Sequence, residues 1–272
     1  MKIAYTGWTW LINHKDNEKF ELEQSFKECK YLGYDYVENF AFITKFFNDE
    51  PDELIDMMRR NGVQLVNLYG HFSDDAEKDY ATCTAQIDFM AKIGAQWYNC
   101  QGSCWNEPPF ERPLDEAKVK MYADLCNRLG EYAKDKGITV CFHPHANSAV
   151  FSEDQIDYFL ANTDPTLVTL CLDTAHTTIA HMDAVEAFKK YVPRIGYVHL
   201  KDVDPNDLNG PHGPMGSFRA LGLGTIDFKG VLNALREGGF DGVMCVELDR
   251  PEVCNYNSAE ISRKYIKNVL KL

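Results

Sequence analysis

Short β-rich runs alternate eight times with longer amphipathic stretches, and this alternation constrains the fold more than any other feature of the chain. Each run holds a few apolar residues, often β-branched or aromatic, and ends in a polar or charged one. The predicted strands are 2–6, 35–38, 64–69, 97–101, 139–143, 169–173, 196–200 and 242–247. The helical patterns between them are 21–32, 52–60, 75–93, 114–136, 153–160, 184–191, 228–237 and 259–270.

Eight such units without a Pro/Gly/Ser-rich linker predict a parallel α/β sheet. The count of eight and the length of 272 residues favour a single (β/α)8 TIM barrel over residues 1–272. An open doubly wound sheet is the alternative. No Gly-x-Gly-x-x-Gly follows the first strand, which weakens the dinucleotide-binding form of that alternative. Two long connections, 100–113 and 202–227, are expected to serve as lids or binding loops.

The amino-acid composition limits the classes of binding partner and the cellular location that we expect. The formal net charge is -13 and the pI is near 5.0, which argues against nucleic acid or an anionic membrane as a partner. The nine cysteines are scattered and include no Cys-x-x-Cys, a pattern typical of reduced thiols in the cytoplasm. No signal-peptide pattern opens the chain, and no apolar run is long enough to span a membrane. A cytoplasmic protein is therefore expected.

Histidines collect where the strands end. In a (β/α)8 barrel, the active-site residues lie at the C-terminal ends of the strands, where the βα loops converge. Of the eight histidines, five fall at predicted strand ends, whereas chance would scatter them: His71, His143, His145, His176 and His199.

Four strand ends offer groups that could bind a metal ion. They are His143 or His145, Asp173, His199 and Glu247. Mixed imidazole and carboxylate ligands suit Mn, Co, Fe, Zn or Mg rather than soft-metal chemistry. Each residue has a structural alternative: Asp173 could cap a turn, His199 could be a hydrogen-bonded core histidine, and Glu247 could pair with Lys201. A shared structural reason for all four is harder to find.

Other residues at the same end are candidates for contacting substrate. His176, three residues after Asp173, suits a substrate contact or an acid/base role, although it could instead cap the next helix. Lys201 could bind a substrate oxygen or pair with Glu247. The remaining substrate-binding candidates are Glu38, His71, Gln101 and Trp105.

Several motifs together resemble the xylose isomerase-like sugar isomerase/epimerase superfamily. They are LDTAH at 172–176, RIGYVHLKD at 194–202, GLGTIDF at 222–228 and GVMCVEL at 242–248. The resemblance implies a metal site with an Asp, a His and a Glu from strands six to eight, which fall on Asp173, His199 and Glu247. The superfamily's strand-five carboxylate is missing, and His143 stands there.

The strand-five segment FHPHANS at 142–148 is similar to the histidine-rich segment of inosose (keto-inositol) dehydratases. Those enzymes share the run HLKDV, here at 199–203. Against this, residues 146–148 are not their usual continuation, and the loop 205–217 is atypical. The resemblance implies a cytoplasmic enzyme that acts on a small carbohydrate or cyclitol and could form a homo-oligomer. The expected cofactor is a divalent ion, Mn²⁺ or Co²⁺ first, with Mg²⁺, Fe²⁺ or Zn²⁺ as alternatives.

The implied chemistry begins with a ketone that the ion polarises. A base then removes a neighbouring C–H proton, and His145 and His176 are the candidates because imidazole both takes and returns a proton. Return of the proton to another carbon defines an isomerase or epimerase, whereas loss of a β-hydroxyl defines a dehydratase, the preferred hypothesis. A keto-glycoside lyase and a sugar-binding barrel that has lost catalysis are further alternatives. A phosphodiester-cleaving barrel is disfavoured because it needs more ligands and a basic surface.

Overall fold

Eight parallel strands close into a ring. The computed structural model describes residues 1–12, 17–105, 107, 111–207 and 214–272. The barrel strands β1 to β8 span Lys2–Thr6, Tyr36–Phe40, Gln64–His71, Trp97–Gln101, Thr139–Phe142, Val168–Asp173, Ile195–Leu200 and Val243–Val246. Their order around the ring is β1-β8-β7-β6-β5-β4-β3-β2. Because β1 pairs with both β8 and β2, the prediction of a (β/α)8 barrel is confirmed and the open sheet is excluded.

Helices cover the outside of the ring. They are α1 to α9, at Glu18–Tyr31, Asp52–Asn61, Ala76–Ile93, Glu116–Lys134, Glu153–Ala161, Thr174–Ile179, Ala184–Tyr191, Phe228–Glu237 and Asn255–Tyr265. A π-helical turn at Ile266–Leu270 continues α9. The extra helix is α6, which begins directly at the end of β6. Three-residue to seven-residue 3₁₀ segments fill several βα connections.

Aspartate begins five of the described helices; one of the five, Asp173 at the start of α6, belongs to the site described below. The carboxylates of Asp75, Asp115, Asp183 and Asp227 accept hydrogen bonds from backbone N–H groups in the first turns of α3, α4, α7 and α8. Each such cap satisfies a donor that the helix leaves unpaired and contributes about 1 kcal/mol. These caps therefore fix where the helices begin, directly after the βα loops at the end of the barrel that carries the site.

The barrel has two apolar layers. A small cluster fills the lower interior of the ring, with Ala4, Val66, Cys141, Cys171, Tyr197, Val243 and Cys245. The larger layer lies between strands and helices and includes Phe26, Phe142, Phe159 and Phe188. All nine cysteines are free thiols and seven of them are buried, as the sequence predicts for reduced cysteines. Above the inner cluster the interior turns polar, and there the strands end.

A short antiparallel ribbon follows β7. Asp202–Val203 pairs with Phe218–Arg219, so residue 202 does not simply extend β7. The carboxylate of Asp202 accepts hydrogen bonds from the N–H groups of Gly222 and Gly224, at 2.8 and 2.9 Å. A Cβ at Gly224 would lie 2.3 Å from Oδ1 of Asp202, so this close approach requires glycine. The Gly-Leu-Gly motif thus closes a loop around Asp202.

The two long connections predicted as lids lie partly outside the described residues, as does the loop 205–217. Among the residues that are described, no helix is both long and apolar enough to cross a membrane.

Candidate metal centre and active site

Four side chains from four neighbouring strand ends meet at the upper end of the barrel. One ligand atom from each of His143, Asp173, His199 and Glu247 lies within 4.8 Å of the others. The register explains the meeting, because Asp173 is paired with His199 across β6 and β7, and Cys245, two residues before Glu247, is paired with His199 across β7 and β8. Alternate residues of a strand share a face, so Glu247 points the same way as Cys245. All four side chains are buried.

Three buried atoms meet in this cluster: Oδ2 of Asp173, Nδ1 of His199 and Oε2 of Glu247. None of them makes a well-directed hydrogen bond to a described residue, although Nζ of Lys201 forms an ion pair with Oε2 of Glu247 at 2.9 Å. They converge, with His199 Nδ1 lying 2.9 Å from Glu247 Oε2 and 3.9 Å from Asp173 Oδ2. Buried polar atoms without partners are costly and rare. A divalent cation would satisfy all three at once, and oxygen and imidazole donors fit Mn²⁺, Co²⁺, Fe²⁺ or Zn²⁺.

Hydrogen bonds fix which nitrogen of each histidine faces the cluster. Nδ1 of His143 lies 3.0 Å from the carbonyl oxygen of Cys171, which can only accept, so that nitrogen carries the proton. Nε2 of His199 lies 3.0 Å from both carboxylate oxygens of Glu38 and likewise donates. The other two nitrogens, Nε2 of His143 and Nδ1 of His199, face the cluster. Burial disfavours the charge of His199, but Cys171, Glu247 and Glu38 outweigh burial and raise its pKa well above the ordinary value, so Nδ1 of His199 releases a proton when a cation binds. Unprotonated imidazole nitrogen is the form that binds metals.

Glu38 belongs to a buried polar layer under the cluster. Besides His199, its Oε2 accepts hydrogen bonds from the side-chain amides of Asn67, at 2.6 Å, and Asn99, at 3.2 Å. This arrangement orients His199, as carboxylates commonly do for histidines that bind metals. The substrate contact expected of Glu38 stays a prediction, since the hydrogen bonds described for its carboxylate lead to these three residues.

Lys201 is fully buried among carboxylates. Its Nζ lies 2.9 Å from Oε2 of Glu247, 3.2 Å from Oδ2 of Asp249 and 3.6 Å from Oδ2 of Asp173. Burial disfavours its charge, but Asp249, Glu247 and Asp173 outweigh burial and raise its pKa above the ordinary value. The pairing with Glu247 that the sequence offered as an alternative is present, and a substrate contact by Lys201 stays a prediction.

His145 and His176 lie beside the cluster with their ring centroids 4.0 Å apart. The ring of His143 is 5.4 Å from His145 and 5.3 Å from His176. Burial lowers the pKa of both rings, and burial together with Lys201 lowers the pKa of His145 to about 3. Both rings are therefore neutral near pH 7. A catalytic role for either stays a prediction that this placement supports.

The remaining candidates lie around the mouth of the barrel. Gln101 accepts a hydrogen bond from the hydroxyl of Tyr69 and donates one to Sγ of Cys104 at 2.9 Å. His71 is exposed and lies 5.2 Å from the ring of Phe40. His71, Phe40 and Tyr69 border a cavity of about 660 Å³ that opens beside the site.

Trp105 lies farther along the β4 loop. It is half-buried, and the guanidinium of Arg112 covers its ring at 4.1 Å. Its backbone N–H donates to the backbone carbonyl of Asn147 at 2.8 Å. The structure thus attaches Trp105 to the loop after β5 that carries His145. Its stacking on a sugar ring stays a prediction.

Sequence reasoning missed three residues that shape the site: Asn67, Asn99 and Asp249. The two asparagines interrupt apolar strands, which is a detectable signal because a polar residue buried in a strand needs a partner. Asp249 follows Glu247 by two residues, and alternate residues of an extended segment share a face. This spacing could have predicted that Asp249 lies beside Glu247.

Comparison with known proteins agrees with this geometry. Residues 26–270 match the xylose isomerase-like TIM barrel family. An inosose dehydratase of Clostridium beijerinckii is 31% identical over 71% of this chain and 70% of its own. An inosose dehydratase of Klebsiella pneumoniae is 28% identical over 98% and 96%. The solved structure of the IOLI protein with a bound zinc atom has a TM-score of 0.79 at 19% identity, covering 100% of this chain and 98% of that one.

The closed barrel and the cluster of metal-competent side chains at its mouth define a TIM-barrel protein with a candidate metal site. The chain belongs to the xylose isomerase-like TIM barrel family, and the resemblance inferred from its motifs is confirmed. Its curated relatives are lyases, and the prediction that the chain is an enzyme of this superfamily is confirmed as well. The ligand group and the zinc of the structural relative support a divalent metal ion without identifying it.

Proposed function

We propose that this chain is a divalent-metal-dependent dehydratase that removes water from a keto-inositol. The observation that carries the proposal is the buried cluster of ligand atoms from His143, Asp173, His199 and Glu247, all within 4.8 Å of one another. Three of these atoms make no well-directed hydrogen bond to a described residue. Such atoms persist in a folded protein when a ligand satisfies them. The named activity of the curated relatives supplies the substrate class.

His143, Asp173, His199 and Glu247 would hold the ion through Nε2, Oδ2, Nδ1 and Oε2. When bound, a divalent cation supplies Lewis-acid polarisation of a substrate carbonyl. Lys201 neutralises part of the carboxylate charge below the substrate. His145 and His176 lie beside the cluster and handle protons and substrate oxygens.

The placement of these two histidines favours a dehydratase over an epimerase. An epimerase must take a proton from one face of a carbon and return one to the opposite face. With ring centroids only 4.0 Å apart, His145 and His176 approach a bound substrate from the same side. A dehydratase that eliminates water in the syn sense, or an aldose–ketose isomerase, needs proton transfer on one face only, so the isomerase is the second candidate.

The test combines metal uptake with turnover. Purified protein is stripped with chelator, reloaded with Mn²⁺ or Co²⁺, and incubated with an inosose or with ketoses while NMR follows loss of substrate and appearance of the dehydrated ketone. We expect water loss from the inosose, and none from a Glu247→Gln variant, which also fails to take up metal. An enzyme that binds metal and isomerises a ketose but leaves inososes unchanged would establish the second candidate instead.

A further inference from the structure

The two mouth histidines share the backbone of one residue. The N–H of Ala146 donates to Nδ1 of His176 at 3.3 Å, and the carbonyl oxygen of Ala146 lies 2.5 Å from Nδ1 of His145. The same nitrogen of His145 is 3.6 Å from Sγ of Cys104, a longer and weaker contact. Ala146 is itself buried, so water does not compete strongly for its two polar groups.

These contacts fix opposite tautomers. A backbone N–H can only donate, so Nδ1 of His176 must be a bare acceptor, and the neutral ring carries its proton on Nε2. A backbone carbonyl can only accept, so Nδ1 of His145 must carry the proton, and Nε2 of that ring is bare. One histidine therefore offers a lone pair to the mouth of the barrel and the other offers an N–H.

No residue in the described part of the chain accepts a hydrogen bond from the Nε2–H of His176. Its Nε2 is buried and makes no hydrogen bond to any residue that the structure describes. A ring nitrogen of His176 lies within 4.8 Å of nitrogens of His143 and His145, so the unsatisfied donor belongs to the same polar pocket. A buried donor without an acceptor is costly, and an oxygen of a bound polyhydroxy ketone would satisfy it.

We propose that the backbone of Ala146 gives the two histidines different roles. His145 takes and returns the substrate proton, and His176 is a neutral hydrogen-bond donor to a substrate oxygen. The assignment rests on the proposed dehydratase function and gives each ring one role in it. A neutral imidazole that only donates avoids becoming an imidazolate, a form too basic to be reached near neutral pH.

The reaction balances with His145 as the only proton carrier. The C–H bond next to the ketone breaks, its proton goes to Nε2 of His145, and its electron pair forms the double bond of an enediolate. The enediolate then collapses: the ketone C=O re-forms, the electron pair of the enediolate double bond makes a C=C to the β-carbon, and the C–O bond of that carbon breaks. The β-hydroxyl leaves as water with the proton that His145 returns. His176 keeps its own proton throughout. One water is lost, and no oxidant or reductant is required.

The tautomers can be measured without any activity. In protein labelled with ¹⁵N-histidine, stripped of metal or loaded with diamagnetic Zn²⁺, long-range ¹H–¹⁵N spectra identify the protonated nitrogen of each ring. We expect the proton on Nδ1 of His145 and on Nε2 of His176, with assignments from His145→Gln and His176→Gln. A proton on Nδ1 of His176, or Zn²⁺ bound to its Nε2, would overturn the proposal whether or not the protein dehydrates an inosose.

Turnover then separates the two roles. Glutamine keeps an N–H donor but cannot carry a proton, so His176→Gln should retain water loss within about 10-fold, whereas His176→Ala should lose about 10²–10³-fold. His145→Gln should lose about 10²–10⁴-fold, both in water loss and in exchange of the substrate C–H proton with D₂O.

Two results would contradict this division: a His176→Gln enzyme as slow as His176→Ala, or a His145→Gln enzyme that still exchanges the substrate proton. Equal circular dichroism spectra and equal Mn²⁺ uptake exclude misfolding and metal loss as causes. If the wild-type enzyme leaves every inosose unchanged, the proposed function fails, while the tautomer measurement still decides the relation between Ala146 and the two rings.

Discussion

Nε2 of His199 lies 3.0 Å from each carboxylate oxygen of Glu38, across 161 residues of sequence. This contact holds a proton on Nε2 and turns Nδ1 towards Asp173 and Glu247. The metal affinity proposed for the site therefore depends on a residue that is not itself one of the proposed ligands.

Glu38→Gln should weaken divalent metal binding by about 10–100-fold, the range typical for loss of such a partner. A glutamine amide can donate to Nε2 of His199 and so shift the ring proton to Nδ1. Titration calorimetry with Mn²⁺, or competition with a chelator, measures the change. Glu50→Gln, an exposed carboxamide substitution, is the control, and equal affinities of the two variants would refute the orienting role of Glu38.

Lys201→Met should destabilise the metal-free protein by about 3–5 kcal/mol, because it leaves Asp173, Glu247 and Asp249 buried without their cation. Added Mn²⁺ should recover part of the loss by supplying positive charge to the same carboxylates. Urea unfolding with and without metal measures both effects. Lys190→Met, which removes an exposed lysine paired with acidic residues, should cost less than about 1 kcal/mol. A stable metal-free Lys201→Met protein would contradict the argument.

Removing the metal should lower the melting temperature of the wild-type chain. An ion present at about 100 times its dissociation constant stabilises the folded state by about 2.7 kcal/mol, and each kcal/mol corresponds to about 2–4 °C in a protein of this size. Differential scanning calorimetry before and after chelator measures the shift. Glu247→Gln should melt at the same temperature with and without chelator; a shift in that variant would place the ion elsewhere.

One surface contact should stabilise the fold only above a defined pH. Side-chain hydrogen bonds from Arg60 and Asn61 lower the pKa of Glu23 from 4.5 to about 2. Since the pKa is depressed in the folded state, the contribution is complete above about pH 4.5 and is lost as the pH falls towards 2. Because the pair is partly exposed, it should amount to at most about 1 kcal/mol.

Urea unfolding of wild type and Glu23→Gln at pH 7 and pH 3.5 checks this. The difference between the two proteins should be larger at pH 7. Glu53→Gln, which removes an exposed carboxylate paired with Lys19, is the matched comparison. A difference that grows on acidification would show that the sign is wrong.

Much of the fold could be predicted because alternating strands and helices leave periodic apolar patterns. The strand 97–101 and the helices 184–191 and 228–237 agree with the structure at both ends. Short elements are too brief to show an apolar periodicity in the sequence. The six residues of Thr174–Ile179 form a helix because Oδ1 of Asp173 accepts hydrogen bonds from the N–H groups of Ala175 and His176. A single cap and its tertiary context decided that element, and periodicity cannot detect either.

The site was predictable to the extent that it follows from strand ends. Asp173, His199 and Glu247 end neighbouring strands, so a correct ring order was enough to bring them together. The role of Glu38 was harder, because strands two and seven are not neighbours and their side chains meet only across the interior of the barrel. Side-chain contacts across a barrel depend on its closure and shear, which no local pattern encodes.

Pairing of the last barrel strand with the first also orders events during synthesis. A ribosome-bound chain that has emerged as far as Val203 already contains Glu38, His143 and His199, yet it lacks Glu247 and the strand that joins β7 to β1. Contacts so distant in sequence form slowly. A cation bound by this site should therefore enter late, after the eighth strand has joined the ring. It would stabilise a barrel that is already closed and would not nucleate folding.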